Sequence, residues 1–176
     1  MEKPMATISQ YVQPHSEADV YYLKLAYDKA VQSQDPSTQN GCVLMGRDNW
    51  TVTGINQFPI GIKNTPERWN DKATKYKLVV HAETDSIMKA VRHGCATKNA
   101  TLYGCWVCCL DCARDIIQSG ITELVGHYHE RMNDRPDWNA GIVEAFELLK
   151  EAGVKVRLCD VFLDKEIRFA GKLIRV

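Results

Sequence analysis

Residues 100–126 read ATLYGCWVCCLDCARDIIQSGITELVG, and the fold is decided by this stretch. Ala100-Thr101-Leu102-Tyr103 is a short apolar run of the buried-strand kind. Residues 109–119 place Ala113, Ile116 and Ile117 on one helical face and stop at Gly120, and residues 121–126 turn β-rich again. Strand, helix and strand in that order make a parallel β-α-β unit, whose sheet is covered by helices on both faces. The unit repeats downstream. Residues 138–152 carry Ile142, Phe146 and Leu149 at helical spacing, and Gly153-Val154-Lys155-Val156 opens another strand.

Upstream, residues 81–93 have helical spacing through Ile87, Met88 and Val91 and end at Gly94. Gly41-Cys42-Val43-Leu44-Met45 and residues 50–55 are short β-rich runs joined by Gly46-Arg47-Asp48-Asn49, which predicts a hairpin. Before them, Val20, Leu23, Ala26, Tyr27, Ala30 and Val31 follow a helical period, with Asp19 as expected N-cap, and residues 33–40 break it around Pro36. Residues 56–80, with Pro59, Gly61, Asn64 and Pro66, read as a long loop of the functional kind. Three segments follow: an arm over 1–18, one domain over 19–158, and a tail over 159–176 without a clean period.

The chain has 176 residues, 45% hydrophobic and 25% charged, which suits one soluble domain with its own core. Lysine plus arginine and aspartate plus glutamate both number 22, so the net charge is zero. That balance argues against a surface for duplex nucleic acid and leaves a free nucleotide as the fitting ligand. No apolar run reaches the length of a membrane span, and residues 1–19 lack the apolar core of an export signal; the expected location is the cytoplasm. Seven cysteines in such a chain point to metal or catalysis, because Cys105, Cys108, Cys109 and Cys112 crowd into one short segment.

Cys109 and Cys112 lie three apart on a first helical turn, where the helix dipole favours thiolate. His81-Ala82-Glu83 opens another helix. One histidine and two cysteines leave a tetrahedral zinc one open position, as in catalytic rather than structural sites. Glu83, two residues beyond the histidine, can serve that position as a proton shuttle without ligating. A closed structural zinc or a reduced thiol cluster is the alternative. Cys105/Cys108 is also a Cys-x-x-Cys, readable as a ligand pair or a redox pair; Cys109/Cys112 is preferred for its place on the helix turn. Cys42, Cys95 and Cys159 read as buried small hydrophobes, His127 and His129 as solvated or core-satisfied histidines, and Trp138 as a core or interface anchor.

His-x-Glu followed by Cys-x-x-Cys at a helix start is the zinc deaminase pattern. Over residues 19–158 the sequence resembles the deoxycytidylate (dCMP) deaminases of the cytidine deaminase-like superfamily. The matching pieces are Gly54-Ile55-Asn56-Gln57-Phe58-Pro59-Ile60-Gly61, Pro66-Glu67-Arg68-Trp69, His81-Ala82-Glu83, and Thr101-Leu102-Tyr103 leading to Cys109-Leu110-Asp111-Cys112-Ala113. Two departures stand out: Cys108 replaces the family's proline, and Thr84-Asp85-Ser86-Ile87 replaces x-Asn-Ala-Ile, which puts base or sugar specificity in question.

The resemblance implies a three-layer α-β-α sandwich with a mixed sheet of about five strands. It also implies one catalytic Zn2+ on His81, Cys109 and Cys112, with Glu83 as the catalytic proton carrier and dCMP hydrolysed to dUMP and ammonia in support of dTMP synthesis. Substrate contacts are expected from Asn56, Arg68, Ala82 and Trp106, with Arg68 first for the phosphate. Lys72, Lys75, Lys77, Arg131 and Arg135 are further basic candidates, and Phe58 joins Trp106 for stacking. A homo-oligomer, dimer to hexamer, and dCTP and dTTP as effectors also follow from the family. Other aminated substrates (a 5-substituted dCMP, dCTP, a nucleoside, a pterin- or flavin-type precursor) and a catalytically silent zinc module stay open.

Overall fold

A computed structural model describes residues 8–129 and 136–176, with backbone only for 136–140. Arg131 and Arg135 lie outside the described residues, as does the side chain of Trp138. After a 3-10 turn at Ile8–Tyr11 come helix α1 (Glu17–Ala30) and strands β1 (Gly41–Met45) and β2 (Thr51–Ile55). Helices α2 (Pro66–Asn70), α3 (Lys72–Leu78) and α4 (Ala82–Arg92) follow, then β3 (Thr101–Gly104) and α5 (Leu110–Gln118). β4 (Glu123–Tyr128), α6 (Pro136–Glu151), β5 (Lys155–Asp160), β6 (Glu166–Phe169) and β7 (Lys172–Arg175) complete the order.

The central sheet runs β2-β1-β3-β4-β5. β1 is antiparallel to β2 and β3, whereas β3, β4 and β5 are mutually parallel, so the sheet is mixed as expected. One face packs Cys42, Leu44, Leu102 and Leu124 against Ile87 and Ala90 of α4, Ala113 and Ile116 of α5, and Phe146 and Leu149 of α6. On the opposite face Val43, Tyr103 and Val125 meet Leu23, Ala26 and Tyr27 of α1 and the buried residues of the β6–β7 hairpin. Burial on both faces explains why β3 and β4 read as apolar runs rather than alternating strands. Each buried leucine or isoleucine contributes about 1.5–3 kcal/mol.

Two glycines allow the layers to close. A Cβ at Gly41 would fall 2.2 Å from the Ala26 carbonyl oxygen of α1. One at Gly54 would fall 2.1 Å from the Ala82 carbonyl oxygen, so α4 rests its first turn directly on β2.

Two expectations need correction, and the tail that showed no clean period has a regular form. Ser16, not Asp19, caps α1: Ser16 Oγ accepts from Asp19 N, and the Asp19 carboxylate accepts from Ser16 N at 2.9 Å, a capping box. Residues 56–80 are not all loop, since α2 starts on Pro66 and Asp71 caps α3 by accepting from Thr74 N. α3 buries no residue, which is why apolar periodicity did not reveal it. The tail forms a hairpin in which Ile167 and Phe169 are buried and Glu166 and Arg168 exposed, an alternation too short to read. Of the arm, the described residues begin at Ile8, and Val12 bridges Leu158 of the edge strand β5.

Arg157 of β5 forks onto Asp19 (3.1 and 3.0 Å) and donates to Glu123 at 2.7 Å, with side chains 13% and 5% exposed for the Arg157–Asp19 pair. Burial pushes the Asp19 carboxyl up, yet the bonds from Arg157 and Ser16 prevail and hold it down at about 2, below its usual 3.8. Arg157→Met should therefore lower stability at neutral pH by about 3 kcal/mol in urea titrations. A carboxyl depressed on folding stabilises above its unfolded value, and loses that contribution as pH falls through its folded one. Between about pH 4 and 2 the wild type should lose about 2 kcal/mol more than the variant. Parallel stability–pH curves would refute the assignment.

Candidate functional site

Two helix starts converge beyond the carboxyl end of β3, the usual position for sites in α/β sheets. His81 is the N-cap of α4 and Cys109 the N-cap of α5, with Cys112 in the first turn of α5. One donor atom from each falls within 4.8 Å of the others. His81 Nδ1 is 3.4 Å from both sulfurs, and the sulfurs are 3.6 Å apart. Bonds of about 2.3 Å to sulfur and 2.0–2.1 Å to nitrogen give a tetrahedral zinc edges of about 3.8 Å (S–S) and 3.5 Å (S–N). The donor set fits zinc by type and spacing. His81 is exposed, Cys109 half-buried and Cys112 buried, so the approach is from the histidine side.

The charges within the triad are uneven. Hydrogen bonds from Cys112 and His81 hold the Cys109 thiol well below its usual range. The bond to Cys109, with burial, pushes Cys112 far up, and the bond to Cys109 raises His81 to about 9. Glu83 Oε2 lies 3.6 Å from Cys112 Sγ. Burial pushes the Glu83 carboxyl above its usual range, against the opposing pull of His81.

Cys108 is buried on the α4–α5 side of the sheet and Cys105 on the α1 side, and burial pushes both thiols well up. They do not converge as a pair, and neither belongs to the triad. Cys42 and Cys159 are buried small side chains as expected, but Cys95 is only half-buried. His127 is core-satisfied, with Tyr27 Oη at 2.8 Å from Nδ1 and the Val161 carbonyl at 2.8 Å from Nε2, and burial lowers it to about 4.

The expected substrate contacts are placed unequally. Ala82 is buried at the start of α4 beside Glu83. Asn56 lies just past β2 and is held from several sides: Nδ2 donates to Asp35 Oδ2 (3.1 Å) and the Thr38 carbonyl (2.8 Å), and Oδ1 accepts from Asn40 N (2.7 Å). Arg68 sits on α2 and donates to the Lys63 carbonyl at 2.9 Å. Trp106 does not fit a stacking role, because it is buried against Tyr27 and Phe169 and its Nε1 donates to the Gln39 carbonyl. Phe58 is likewise engaged, stacked on Trp69 at 4.1 Å. Lys75 pairs with Asp35 at 2.7 Å, and Lys72 lies over the Tyr76 ring. Asp85 accepts from Ile55 N, Gln57 Nε2 and Lys89 Nζ, and Ser86 Oγ donates to the Glu83 carbonyl. Asp85 thus ties the end of β2 to α4, and Ser86 bonds within α4.

Sequence reasoning missed Thr84, which donates to Asp115 Oδ2 at 2.5 Å beside Cys112, and the polar group Ser33, Asp35 and Asn40. Polar residues within the break at 33–40 were the available signal. Asn40 Oδ1 is buried without a partner.

Residues 16–128 match a family described as "Cytidine and deoxycytidylate deaminase zinc-binding region". Among curated proteins, a probable deoxycytidylate deaminase of Caenorhabditis elegans is 35% identical over 58% of this chain, and the deoxycytidylate deaminase of Mus musculus is 32% identical over 78%. The matches span 53% of the first relative and 76% of the second, so the chain covers about half the length of the worm protein. A solved dCMP deaminase of the cyanophage S-TIM5, in complex with dCMP and dUMP, superposes with a TM-score of 0.64 at 18% identity, over 83% of this chain and 99% of that one.

The triad assignment has a direct check. Cys109→Ser and Cys112→Ser should bring zinc content of the purified protein from about one ion per chain to near zero, while Cys108→Ser should leave it unchanged. Loss of zinc in Cys108→Ser with retention in Cys109→Ser would shift the ligand by one residue.

Proposed function

Because the chain belongs to the cytidine and deoxycytidylate deaminase zinc-binding family, we propose that it hydrolyses the 4-amino group of a free deoxycytidine nucleotide, dCMP first, releasing ammonia and dUMP. The observation that carries this reading is a buried carboxylate, Glu83, set beside three metal donors yet outside their set. A structural metal site needs no such group. Names of relatives add support, since the mouse protein is called a deoxycytidylate deaminase and the worm protein a probable one.

His81, Cys109 and Cys112 would hold the zinc, which when bound brings the pKa of water to about 7. Glu83 takes the proton of the attacking water and delivers it to N3 of the cytosine, as a new bond forms at C4. It then takes the proton of the new C4 hydroxyl and passes it to the 4-amino group, which departs as ammonia as the C4–N bond breaks and the C4 carbonyl forms. A carboxyl raised by burial suits both duties, because it is a stronger base than an exposed carboxylate and so takes and holds a proton between steps more readily. Arg68, on helix α2, is the proposed phosphate contact. Homo-oligomerisation, regulation by dCTP and dTTP, and a place in deoxynucleotide supply are part of the same proposal. Among the described residues no helix is long and apolar enough to cross a membrane.

The test is ammonia release from dCMP, dCTP, deoxycytidine and CMP in parallel, with zinc measured on the same sample. Turnover of dCMP alone supports the reading. Inertness toward all four in zinc-loaded protein defeats it. Glu83→Ala should lower kcat by about a thousandfold or more with zinc content unchanged.

A further inference from the structure

Thr84 and Asp115 take no part in the chemistry above, yet a hydrogen bond joins them across two helices. His81 is the N-cap of α4 and Thr84 its third residue; Cys109 is the N-cap of α5 and Cys112 its third residue. An N-cap and the residue three beyond it face each other across a first turn. Thr84 thus holds on α4 the position that Cys112 holds on α5, and its Oγ1 lies 4.0 Å from Cys112 Sγ. Asp115 follows Cys112 by three positions, so it lies on the same side of α5, one turn further along.

Thr84 Oγ1 donates to Asp115 Oδ2 at 2.5 Å, within the short range of a hydroxyl on a carboxylate. A hydroxyl inside a helix ordinarily bonds a carbonyl of its own preceding turn. Ser86, two residues along in α4, does so, donating to the Glu83 carbonyl at 2.7 Å. Thr84 has one proton and gives it to the neighbouring helix instead. Asp115 gains little from its own helix. Aspartate is a poor helix former, and this one lies beyond the first turn, where the helix dipole would favour a carboxylate.

The three metal donors are divided between these helices, one nitrogen at the start of α4 and two sulfurs at the start of α5. Below them the helices share the apolar cluster of Ile87, Ala90, Ala113 and Ile116. Apolar packing is non-directional and tolerates sliding. The Thr84–Asp115 bond is directional, and it sits one turn from the donors.

We infer that Thr84 and Asp115 are positioning residues whose bond acts as a strut between α4 and α5, holding His81 in register with the two sulfurs before the metal arrives. The inference rests on the deaminase reading for the identity of that metal, zinc.

The experiment measures zinc affinity of the full chain by competition with a chromophoric chelator. Thr84→Val, which keeps the shape of the side chain, and Asp115→Leu should each weaken zinc binding by about tenfold or more. The double variant should bind no more weakly than the worse single one, because both remove the same bond. Thr84→Ser restores the hydroxyl and should stay within about threefold of wild type. Should Asp115→Leu fold poorly, the two Thr84 variants decide the question alone. Cobalt(II) in place of zinc gives a second readout, since its visible bands follow the arrangement of the donors. Those bands should shift in Thr84→Val and return in Thr84→Ser, whereas a change in global stability alone leaves them in place. Weakened zinc binding in the single variants of a protein inert toward dCMP would support the strut while ending the dCMP reading. Unchanged affinity and bands in the single variants, or losses that add in the double, would overturn the strut. A wild type that takes up no zinc would overturn both.

Discussion

The contact of the Ala82 carbonyl with the bare Cα of Gly54 fixes where α4 begins relative to the sheet, and the triad depends on that placement. His81 is the N-cap of this helix, so a shift of α4 along β2 carries the imidazole with it. The two sulfurs come from α5, whose start is set by the exit of β3 from the sheet. Three donors spaced 3.4–3.6 Å apart tolerate little error from either side. Asp85 reinforces the register from the other direction, bonding Ile55 N and Gln57 across to β2. A side chain at position 54 would meet the Ala82 carbonyl and the Ser86 backbone, so the start of α4 would have to move.

Much of this was legible before the coordinates. Parallel β-α-β units followed from residues 100–126, the hairpin from residues 41–55, and helix ends from Gly94 and Gly120, both found at positive φ. His81, Glu83, Cys109 and Cys112 could be singled out because their chemistry depends on short-range spacing at helix starts. What the sequence concealed depends on long-range partners. Trp106 and Phe58 looked like stacking surfaces, but only the tertiary packing against Phe169 and Trp69 shows them engaged. α3 has no buried face and so leaves no period, and the capping of α1 depended on Ser16 outcompeting Asp19 for the N-cap position.

The polar interior follows one rule. Asp19, Asp35, Asn56, Asp85, Ser86 and His127 are all buried, and each is hydrogen-bonded to backbone or to an opposite charge. Residues of types that suggest ligand contact are here holding an edge strand, a loop or a helix cap. Asn40 Oδ1, buried without a partner, breaks the rule.

The β6–β7 hairpin carries a consequence for the order in which the molecule is made. Gln39 N donates to the Arg168 carbonyl, Gly171 N to the Ser37 carbonyl and Arg168 N to Gln39 Oε1, the last across 129 positions of sequence. Trp106 rests on Phe169 from the same hairpin. During synthesis the ligand-bearing helices and the sheet strands through β4 emerge first, and the loop that orients Asn56 waits for the last strands to arrive. Contacts so distant in sequence close late and slowly, because the chain must lose the entropy of a long loop before gaining them. The loop that carries Ser37 and Gln39 thus takes its final form after the sheet and the helix starts that bear His81, Cys109 and Cys112.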